Sequence, residues 1–338
     1  MKITQKDIAN QLNLSRATVT KALQDHPDIA LETSNMIKQF AKEIGYIPNG
    51  IGRSLVTEKT YTIGVIIPKI ADSFYSASME HMYASATRLG YRVFLMISFE
   101  DERQQTSDIE TLLSMNVDGI IIDPASTTFN KASLDVIKKR KVPLMFFDRR
   151  LLGYKGNGVI FDNYDLSYRL TQQLIDKGYK DYLYLSGPQH INISHDRFKG
   201  FKDALENRGV PFNEKLLAKN DSFGQEEGKE SFVQYYKQAK HKPKVVVCTN
   251  DSLALGVYDA CQDLKLRIPK DLGVVGFGGL TVANLVNPSL TTVELPVKEA
   301  ISKSIANLVS LIENAETEII DEVFPGKIIF RKSTKSLI

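Results

Sequence analysis

The chain has little cysteine, no tryptophan and no long apolar segment. Its two cysteines, Cys248 and Cys261, provide neither a metal-ligand spacing nor the number of thiols that a disulfide framework needs. We interpret them as reduced core residues of a cytoplasmic protein. No run approaches the roughly 18 apolar residues of a membrane helix, and the first residues contain no apolar signal segment. We therefore expect neither membrane insertion nor export.

Sequence patterns of catalysis are absent as well. There is no G-x-S-x-G nucleophile motif and no G-x-x-x-x-G-K phosphate loop. The segment Gly276-Phe-Gly-Gly lacks the third glycine of a dinucleotide fingerprint. His190 and His195 come nearest to a metal-binding pair, but we interpret them as surface residues of a loop. The sequence therefore predicts that the chain is not an enzyme and binds neither a cofactor nor a metal.

What the chain does contain is ordinary globular material. Of its 338 residues, 43% are hydrophobic and 25% are charged, which suffices for two or three folded units. The formal net charge is only +3, and residues 1–60 carry a slight excess of basic over acidic residues. Charge alone therefore does not predict nucleic-acid binding, and any such function has to be argued from motifs.

Residues 4–23 contain two short amphipathic helix patterns separated by a turn. Thr4 and Asp7 have the spacing of a capping box, and Ser15 is a suitable N-cap for the second helix. Two such helices joined by a short turn are typical of the helix-turn-helix unit, whose second helix enters the major groove of DNA. The same pattern also suits other three-helix bundles, so these residues alone do not settle the function.

A third helix pattern and further motifs strengthen the DNA-binding interpretation. Residues 31–44 keep a helical period that ends at Gly45. The chain also contains the motifs Asp7-Ile-Ala, Ser15-x-x-Thr-Val, Gly45-Tyr-x-Pro-Asn49 and Arg53-Ser-Leu55. In these motifs it resembles the LacI/GalR family of bacterial transcription regulators, and the resemblance covers essentially the whole sequence.

The resemblance implies a DNA-binding head that acts as a homodimer on a pseudo-palindromic operator. It assigns base-edge contacts to Arg16, Ala17 and Lys21. Ala30 stands where the family usually has a serine at the start of the third helix, so we expect neither a side-chain cap nor a phosphate contact there. The phosphate contacts are assigned to Thr4, Ser15, Thr18 and Thr33.

Residues 47–60 are predicted to be a hinge. By the resemblance, this segment folds into a helix on DNA, where Asn49 contacts the minor groove and Leu55 acts as an apolar wedge. Gly52 stands where the family usually has alanine, and glycine lowers helix stability. We therefore expect a hinge that is more disordered without DNA than in a typical member, and a plain flexible linker remains the alternative.

From residue 61 onward, apolar runs alternate with helical patterns. Runs such as residues 61–68, 117–123 and 142–148 predict strands that are buried on both faces, which is typical of parallel sheets covered by helices. The resemblance implies an all-α helix-turn-helix head plus an α/β core of two doubly wound parallel-sheet lobes, like type I periplasmic binding proteins. We predict a head at residues 1–46 and a core at residues 61–338.

The core is predicted to consist of two lobes that are each discontinuous in sequence. The N-lobe is expected at about residues 61–161 plus 292–323, and the C-lobe at about residues 162–291 plus 324–338. Dimer contacts are expected at residues 70–115 and in a helix at 298–313. The last residues contain no leucine heptad that would make a tetramer, so we predict a dimer.

Ligands of open parallel sheets bind outside the carboxyl ends of the strands, so the two lobes predict a cleft for a small effector. The resemblance adds Phe74-Tyr75, Ser194-x-x-Arg197-x-x-Gly-Phe201 and Asp221-x-Phe223 to the lining of this cleft. Arg197 is the strongest candidate among them, because a guanidinium offers a fixed fork of donors to ligand oxygens. Phe74 and Phe223 are expected to stack on a ring of the ligand. For Asp162 and Asp251 an ordinary helix N-cap is an equal alternative. The full predicted effector set is Phe74, Tyr75, Asp123, Asp148, Arg149, Asp162, Arg197, Phe223, Asn250 and Asp251.

One departure from the family bears on the ligand. Family members commonly have an aspartate after Gly276-Phe277, where this chain has Gly278. A sugar is still the expected effector, but Asp123 or Asp148 would then have to accept its hydrogen bonds. The predicted function is therefore a sequence-specific transcriptional regulator, a repressor that is controlled by a small ligand, and the expected ligand is a carbohydrate. The alternatives are a stand-alone sugar-binding protein, or a regulator with a non-sugar or protein effector.

Overall fold

A computed structural model describes residues 3–47, 59–71, 73–126, 131–151, 153–213, 216–314 and 318–334. The chain divides into two compact units, residues 1–60 and residues 61–338, and each is described by itself. Asn49, Gly52 and Leu55 of the predicted hinge lie outside the described residues. Within the described ranges, no helix has both the length and the apolar character needed to cross a membrane.

The first unit is called the head from here on, and its described residues 3–47 contain three helices. The predicted capping box is present, because Thr4 accepts a hydrogen bond from the Asp7 amide while the Asp7 carboxylate accepts one from the Thr4 amide. Ser15 Oγ accepts a hydrogen bond from the Thr18 amide at 3.0 Å and starts the second helix. As expected, Ala30 provides no side-chain cap for the third. The helices are α1 (Gln5–Gln11), α2 (Arg16–Leu23) and α3 (Leu31–Glu43).

A small apolar core holds the three helices of the head together. Ile8, Val19 and Ile37 contribute one buried side chain from each helix. Ser34 is also buried, and its hydroxyl donates a hydrogen bond to the Ala22 carbonyl at 3.0 Å, so α3 is tied to α2 without leaving a buried polar group unsatisfied. The turn and packing geometry is therefore that of a helix-turn-helix followed by a supporting helix.

The second unit, called the core unit, contains two parallel sheets and one short antiparallel pair. Its strands are β1 (Thr62–Ile67), β2 (Arg92–Ile97), β3 (Gly119–Ile122), β4 (Leu144–Asp148), β5 (Gly158–Phe161), β6 (Tyr182–Ser186), β7 (Leu217–Lys219), β8 (Val245–Cys248), β9 (Gly273–Val275), β10 (Thr292–Glu294), β11 (Asp321–Phe324) and β12 (Lys327–Ile329). The first sheet has the order β2-β1-β3-β4-β5-β11 and the second has the order β7-β6-β8-β9.

Helices cover the sheets as the alternating pattern predicts. Their bounds are α4 (Ser73–Arg88), α5 (Glu102–Ser114), α6 (Lys131–Lys139), α7 (Asn163–Asp176), α8 (Asn192–Asn207), α9 (Gln225–Gln238), α10 (Asp251–Asp263), α11 (Val282–Leu285) and α12 (Val297–Glu313). The central strands β3 and β8 are buried over their whole length, which explains their uninterrupted apolar sequences.

The chain passes between the two sheets three times within the described residues. It leaves the first sheet after Phe161, returns through β10, and leaves again after Phe324. The strands β10 and β12 pair with each other in an antiparallel ladder, so two of these passages are hydrogen-bonded together. The first sheet therefore includes a strand, β11, from a distant segment, and β9 of the second sheet is hydrogen-bonded at Val274 to Ser333 near the end of the described residues.

One local prediction is wrong. His195 was placed in a loop together with His190, but it lies in α8, which begins at Asn192. Ile191, at the N-cap position, contributes no side-chain cap, so the usual polar signal for the start of a helix is missing here.

Candidate functional site

The core unit contains a cavity of about 550 Å³ where strands of both sheets end. Lys69 follows β1, Glu100 follows β2, Asn250 follows β8 and Phe277 follows β9, and all four line the cavity. Because all strands within each sheet are parallel, their carboxyl ends and the loops beyond them meet at one edge. The volume lies in the range of small-molecule binding sites.

The structure gathers most of the predicted effector residues around this cavity. Two do not line it. Asp123 lies behind the wall, where its carboxylate accepts a hydrogen bond from the Tyr75 hydroxyl at 2.6 Å. Asp162 is the N-cap of α7 and accepts a hydrogen bond from the Asp165 amide at 3.1 Å. The residues that do line the cavity are Phe74, Tyr75, Asp148, Arg149, Arg197, Phe223, Asn250 and Asp251.

Arg197 lies on α8 with its guanidinium at the cavity wall and is 4% exposed. Its Nε donates a hydrogen bond to Asn163 Oδ1 at 2.8 Å, and Nη1 donates one to the Thr249 carbonyl at 2.8 Å. The guanidinium carbon lies 3.9 Å from the centre of the Phe277 ring. Burial lowers the pKa of Arg197 below its ordinary value, although an arginine remains charged at neutral pH.

The acceptors that hold Arg197 are neutral, and within the described ranges its guanidinium forms no ion pair with a carboxylate. The carboxylates of Asp148 and Asp251 favour the charged form of Arg197 without forming an ion pair with it, and a buried guanidinium is costly unless other groups complete its hydrogen bonds. The two bonds to Asn163 and Thr249 do not use Nη2. The arrangement therefore suits a ligand with an oxygen atom that accepts a hydrogen bond from Nη2 of Arg197.

Arg149 lines the same cavity but is neutralised by the protein. It donates hydrogen bonds to both carboxylate oxygens of Glu100 at 2.7 and 3.0 Å, and its Nε lies 3.4 Å from Asp123 Oδ1. Glu100 adopts a positive φ of 60°, so the loop after β2 is held in a restrained conformation against Arg149. Burial raises the pKa of the Asp123 carboxyl, and Arg149 opposes that rise. Arg149 is thus paired with carboxylates of the protein, whereas the hydrogen-bond partners of Arg197 are neutral.

Aromatic rings form two parts of the cavity wall. Phe223 packs against Gly187 so closely that a side chain there would meet the ring at 2.2 Å, so Gly187 is required for this approach. The Phe223 ring also lies 5.6 Å from the Arg149 guanidinium carbon. Phe74 makes an edge contact with Tyr75, with ring centres 5.2 Å apart. Phe74 and Phe223, from different segments of the chain, thus add aromatic surface to a cavity wall that also contains charged and polar side chains.

Asp251 is fully buried and bonded to the loop that contains Gly278. Its Oδ2 accepts a hydrogen bond from the Leu280 amide at 2.8 Å, and its Oδ1 accepts one from the Thr292 hydroxyl at 2.5 Å. Burial raises the pKa of this carboxyl, and these hydrogen bonds oppose the rise. The N-cap of α10 is the neighbouring Asn250, which accepts from the Leu253 amide at 2.9 Å, so the N-cap alternative for Asp251 is wrong.

The conformation of residues 278–279 explains why this loop carries glycine. Gly278 has a φ of 129° and Gly279 a φ of 72°, both in the region that side chains disfavour. A Cβ on Gly278 would lie 3.8 Å from Asp251 Oδ2. The carboxylate nearest to the position of the missing family aspartate is therefore that of Asp251, whereas of the two carboxylates expected to replace it Asp148 lines the cavity and Asp123 does not.

Several cavity residues were absent from the predicted set. Lys69 and Glu100 lie just past the ends of β1 and β2, so the rule that ligands bind beyond strand ends points to both. His190, Asp221 and Gln225 also line the cavity. Gln225 begins α9, a helix that the apolar periodicity of the sequence did not predict.

In the head, five of the predicted DNA-contacting residues lie on α2 or at its N-cap, namely Ser15, Arg16, Ala17, Thr18 and Lys21. Arg16 and Ala17 are exposed at its N-terminal end, and the Arg16 side chain makes no hydrogen bond or ion pair within the described part of the chain. The hydroxyls of Ser15 and Thr18 are bonded to each other at 2.8 Å. Thr4 is exposed at the start of α1, Thr33 is half-buried in the first turn of α3, and Lys21 lies in the last turn of α2.

Two family models match the chain. The model for bacterial regulatory proteins of the lacI family matches residues 4–49, which include the three head helices. The model for a periplasmic binding protein-like domain matches residues 171–334 of the core unit. Both matches agree with the architecture described above.

Known proteins match over nearly the full length. Catabolite control protein A of Priestia megaterium is 29% identical, over 99% of this chain and 100% of its own. The HTH-type transcriptional regulator RegA of Clostridium saccharobutylicum is 30% identical, over 97% of this chain and 98% of its own. The crystal structure of the lac repressor dimer bound to operator and the anti-inducer ONPF has a TM-score of 0.89 at 20% identity, covering 99% of this chain and 100% of that one.

A helix-turn-helix head and a core of two parallel sheets around a ligand-sized cavity define the class of DNA-binding transcriptional regulators with a periplasmic-binding-protein-like core. The chain belongs to the LacI family of bacterial transcription regulators. The family and the fold class predicted from the sequence are thereby confirmed. Its relatives are transcription regulators and not enzymes, as predicted.

Proposed function

We propose that the protein is a repressor that binds a pseudo-palindromic operator as a homodimer in the cytoplasm and is controlled by a sugar in the core cavity. The proposed organisation is a head at residues 1–46, a hinge at 47–60, and a core in which the N-lobe (about 61–161 plus 292–323) and the C-lobe (about 162–291 plus 324–338) share the cavity. Effector binding would change the spacing of two heads only to the extent that the ligand prefers one core conformation.

For the head, we propose that Arg16, Ala17 and Lys21 contact base edges. The exposed N-terminal end of α2 supports this, because that end of a recognition helix enters the major groove. The remaining assignments are phosphate contacts by Thr4, Ser15, Thr18 and Thr33, and minor-groove contacts by Asn49 and Leu55.

For the cavity, the buried guanidinium of Arg197, whose Nη2 is used by neither of its two hydrogen bonds, is the observation that carries the proposal. Its free donor direction suits a hydroxyl or carboxylate oxygen of a sugar, and the Phe74 and Phe223 rings offer apolar faces of the kind that pack on a sugar ring. Lys69, Glu100 and Asp221 add further polar groups to the wall. The cavity has room for more than one sugar ring.

A thermal-shift screen of the full-length chain tests the sugar proposal. The panel contains neutral sugars, oligosaccharides, sugar acids, sugar phosphates and nucleobases. A ligand at about 100 times its dissociation constant adds roughly 2.7 kcal/mol to the free energy of unfolding, which raises the melting temperature by several degrees. We expect the largest shift from a sugar and its loss in Arg197→Ala.

Two further variants test whether the loss of the sugar shift is specific to Arg197. Arg169→Ala removes an arginine that is exposed on α7 and pairs with Asp165, so the sugar shift should remain. Arg197→Lys keeps the positive charge and serves if Arg197→Ala does not fold. A shift from nucleobases alone, or a sugar shift that survives in both Arg197 variants, would contradict the proposed effector site.

A further inference from the structure

Lys21 is the last of the three residues proposed to contact base edges, and it forms an ion pair with another residue of the head. Its Nζ lies 2.6 Å from Asp28 Oδ2, and the two side chains are 45% and 58% exposed. By contrast, Arg16 at the other end of α2 makes no such contact with a described residue. One cation of the proposed DNA-binding surface is therefore paired with a carboxylate of the same chain, while the other is not.

The turn between α2 and α3 holds Asp28 in place. The His26 amide donates a hydrogen bond to the Lys21 carbonyl at 3.0 Å, which folds the turn back over the end of α2. The Asp28 amide donates to His26 Nδ1 at 3.3 Å, and the same imidazole nitrogen lies 3.4 Å from Asp28 Oδ2. The hydrogen bond from Lys21 lowers the pKa of Asp28, so the carboxylate is ionised at neutral pH.

A carboxylate at this position opposes DNA binding in two ways. It attracts the Lys21 ammonium, and it carries a negative charge on the surface that faces phosphates. Sequence-independent affinity for DNA comes mainly from cations that neutralise phosphates and release counterions. A lysine that is already paired neutralises less phosphate charge, so it contributes less to affinity for arbitrary DNA.

We propose that Asp28 is a positioning residue that holds Lys21 and thereby limits the affinity of the head for DNA of any sequence. This inference rests on the proposed contact between Lys21 and DNA. The pair restrains an otherwise flexible lysine, so that Lys21 is less free to neutralise a phosphate of DNA of any sequence.

The test measures binding of the full-length chain to a random-sequence DNA duplex by fluorescence anisotropy over a range of salt concentrations. The variants are Asp28→Asn, Lys21→Ala and the double variant. Asp28→Asn should bind roughly two- to fivefold more tightly at about 0.1 M salt, the scale of an exposed ion pair. The plot of log affinity against log salt should also become steeper, by up to about 0.9, because Lys21 then neutralises one more phosphate.

Asp25→Asn is the matched control. Asp25 lies in the same turn and pairs with Lys38 of α3, so this variant removes an equal charge without releasing Lys21. We expect a smaller gain in affinity and an unchanged salt slope. A gain and a steeper slope equal to those of Asp28→Asn would show a general charge effect and would overturn the inference.

The double variant separates this inference from the proposed function. If Asp28 acts through Lys21, Asp28→Asn should change neither the affinity nor the salt slope in the Lys21→Ala background. A gain that persists there would mean that Asp28 repels phosphates directly, and the inference would fail. If Lys21→Ala changes neither quantity in the Asp28→Asn background, where the lysine is released, the proposed DNA contact of Lys21 fails as well.

Discussion

At the scale of a single residue, Asp251 is the side chain that holds the loop containing Gly278. Its carboxylate accepts hydrogen bonds from a backbone amide beyond the glycine pair and from Thr292 in β10. A side chain at the end of β8 is thereby tied to a segment that connects the two sheets. Because the carboxylate is fully buried, its ionised form is disfavoured, and the pH dependence of stability should show this.

We predict the pH dependence from the direction of the shift. Burial raises the pKa of Asp251 in the folded chain above the roughly 3.9 of an unfolded aspartate, so the folded state binds the proton more tightly. The free energy of unfolding should therefore fall as the pH rises from about 4 through the raised pKa. Asp251→Asn lacks this titration. Urea unfolding at several pH values should show the wild type losing stability relative to the variant across this window.

Asp271 provides a control, because its pKa is shifted in the opposite direction to that of Asp251. Its hydrogen bonds from Arg267 lower its pKa to about 2. The wild type should therefore lose its advantage over Asp271→Asn as the pH falls below about 4. Equal trends for the Asp251 and Asp271 variants would contradict the assignment of the Asp251 shift to burial.

The residue pairs around the cavity show what the sequence could not predict. Arg197 was identified because its motif resembles the family, and the structure places it at the cavity wall. The partner of Arg149 was missed, since Glu100 lies 49 positions away at the tip of another strand. A single sequence contains no signal for such a pair, because only the order of strands in the sheet brings the two tips together.

At the scale of an element, the start of α3 is the weakest helix end in the head. Ala30 has backbone angles of −55° and 140° but no side-chain oxygen to bond the free amides. Ala30→Ser should add a cap and stabilise α3 by about 1 kcal/mol. Hydrogen exchange of the α3 amides in the full-length chain should slow by roughly fivefold.

Ser15→Ala should have the opposite effect on α2. It removes an existing cap, since Ser15 Oγ accepts a hydrogen bond from the Thr18 amide at 3.0 Å. Amides of α2 should exchange faster by a similar factor. Unchanged exchange in Ala30→Ser would show that water already satisfies the first turn of α3 as well as a serine would.

The elements that the sequence predicted are long or strongly patterned. The strands β1 and β3 are apolar throughout because both faces are buried, and that pattern is local. In contrast, β7, β10 and β12 contain three residues each, and their pairing partners are far away in sequence. Short strands exist because a neighbour offers free backbone groups, so sequence periodicity carries little information about them.

At the scale of the whole molecule, exposed apolar side chains support the proposed dimer. Tyr83, Leu89 and Phe94 are 51%, 47% and 39% exposed, and all lie within the segment expected to form dimer contacts. Several large apolar side chains that are exposed within one segment make that segment a candidate for an interface. We expect a dimer in sedimentation equilibrium at micromolar concentration.

A charge in that surface should weaken the dimer. Tyr83→Asp is expected to raise the dimer dissociation constant by at least about tenfold, since an interface anchor of this type is worth roughly 1.4 kcal/mol or more. Val136→Asp is the control, because Val136 is 41% exposed on α6, outside the segment expected to form dimer contacts. A tetrameric mass, or equal weakening by both variants, would contradict the proposed dimer surface.

The three passages of the chain between the sheets also constrain how such a protein can be recombined. The head is one continuous segment, so a single junction near residue 60 exchanges it for another head and redirects the regulator to another set of genes. Neither sheet can be exchanged in that way, because the first sheet includes β11 from beyond β10, and β9 of the second sheet is hydrogen-bonded at Val274 to Ser333, beyond β12. Gene fusion can therefore readily change which DNA the protein recognises, whereas a new ligand preference has to arise by substitutions within an inherited core.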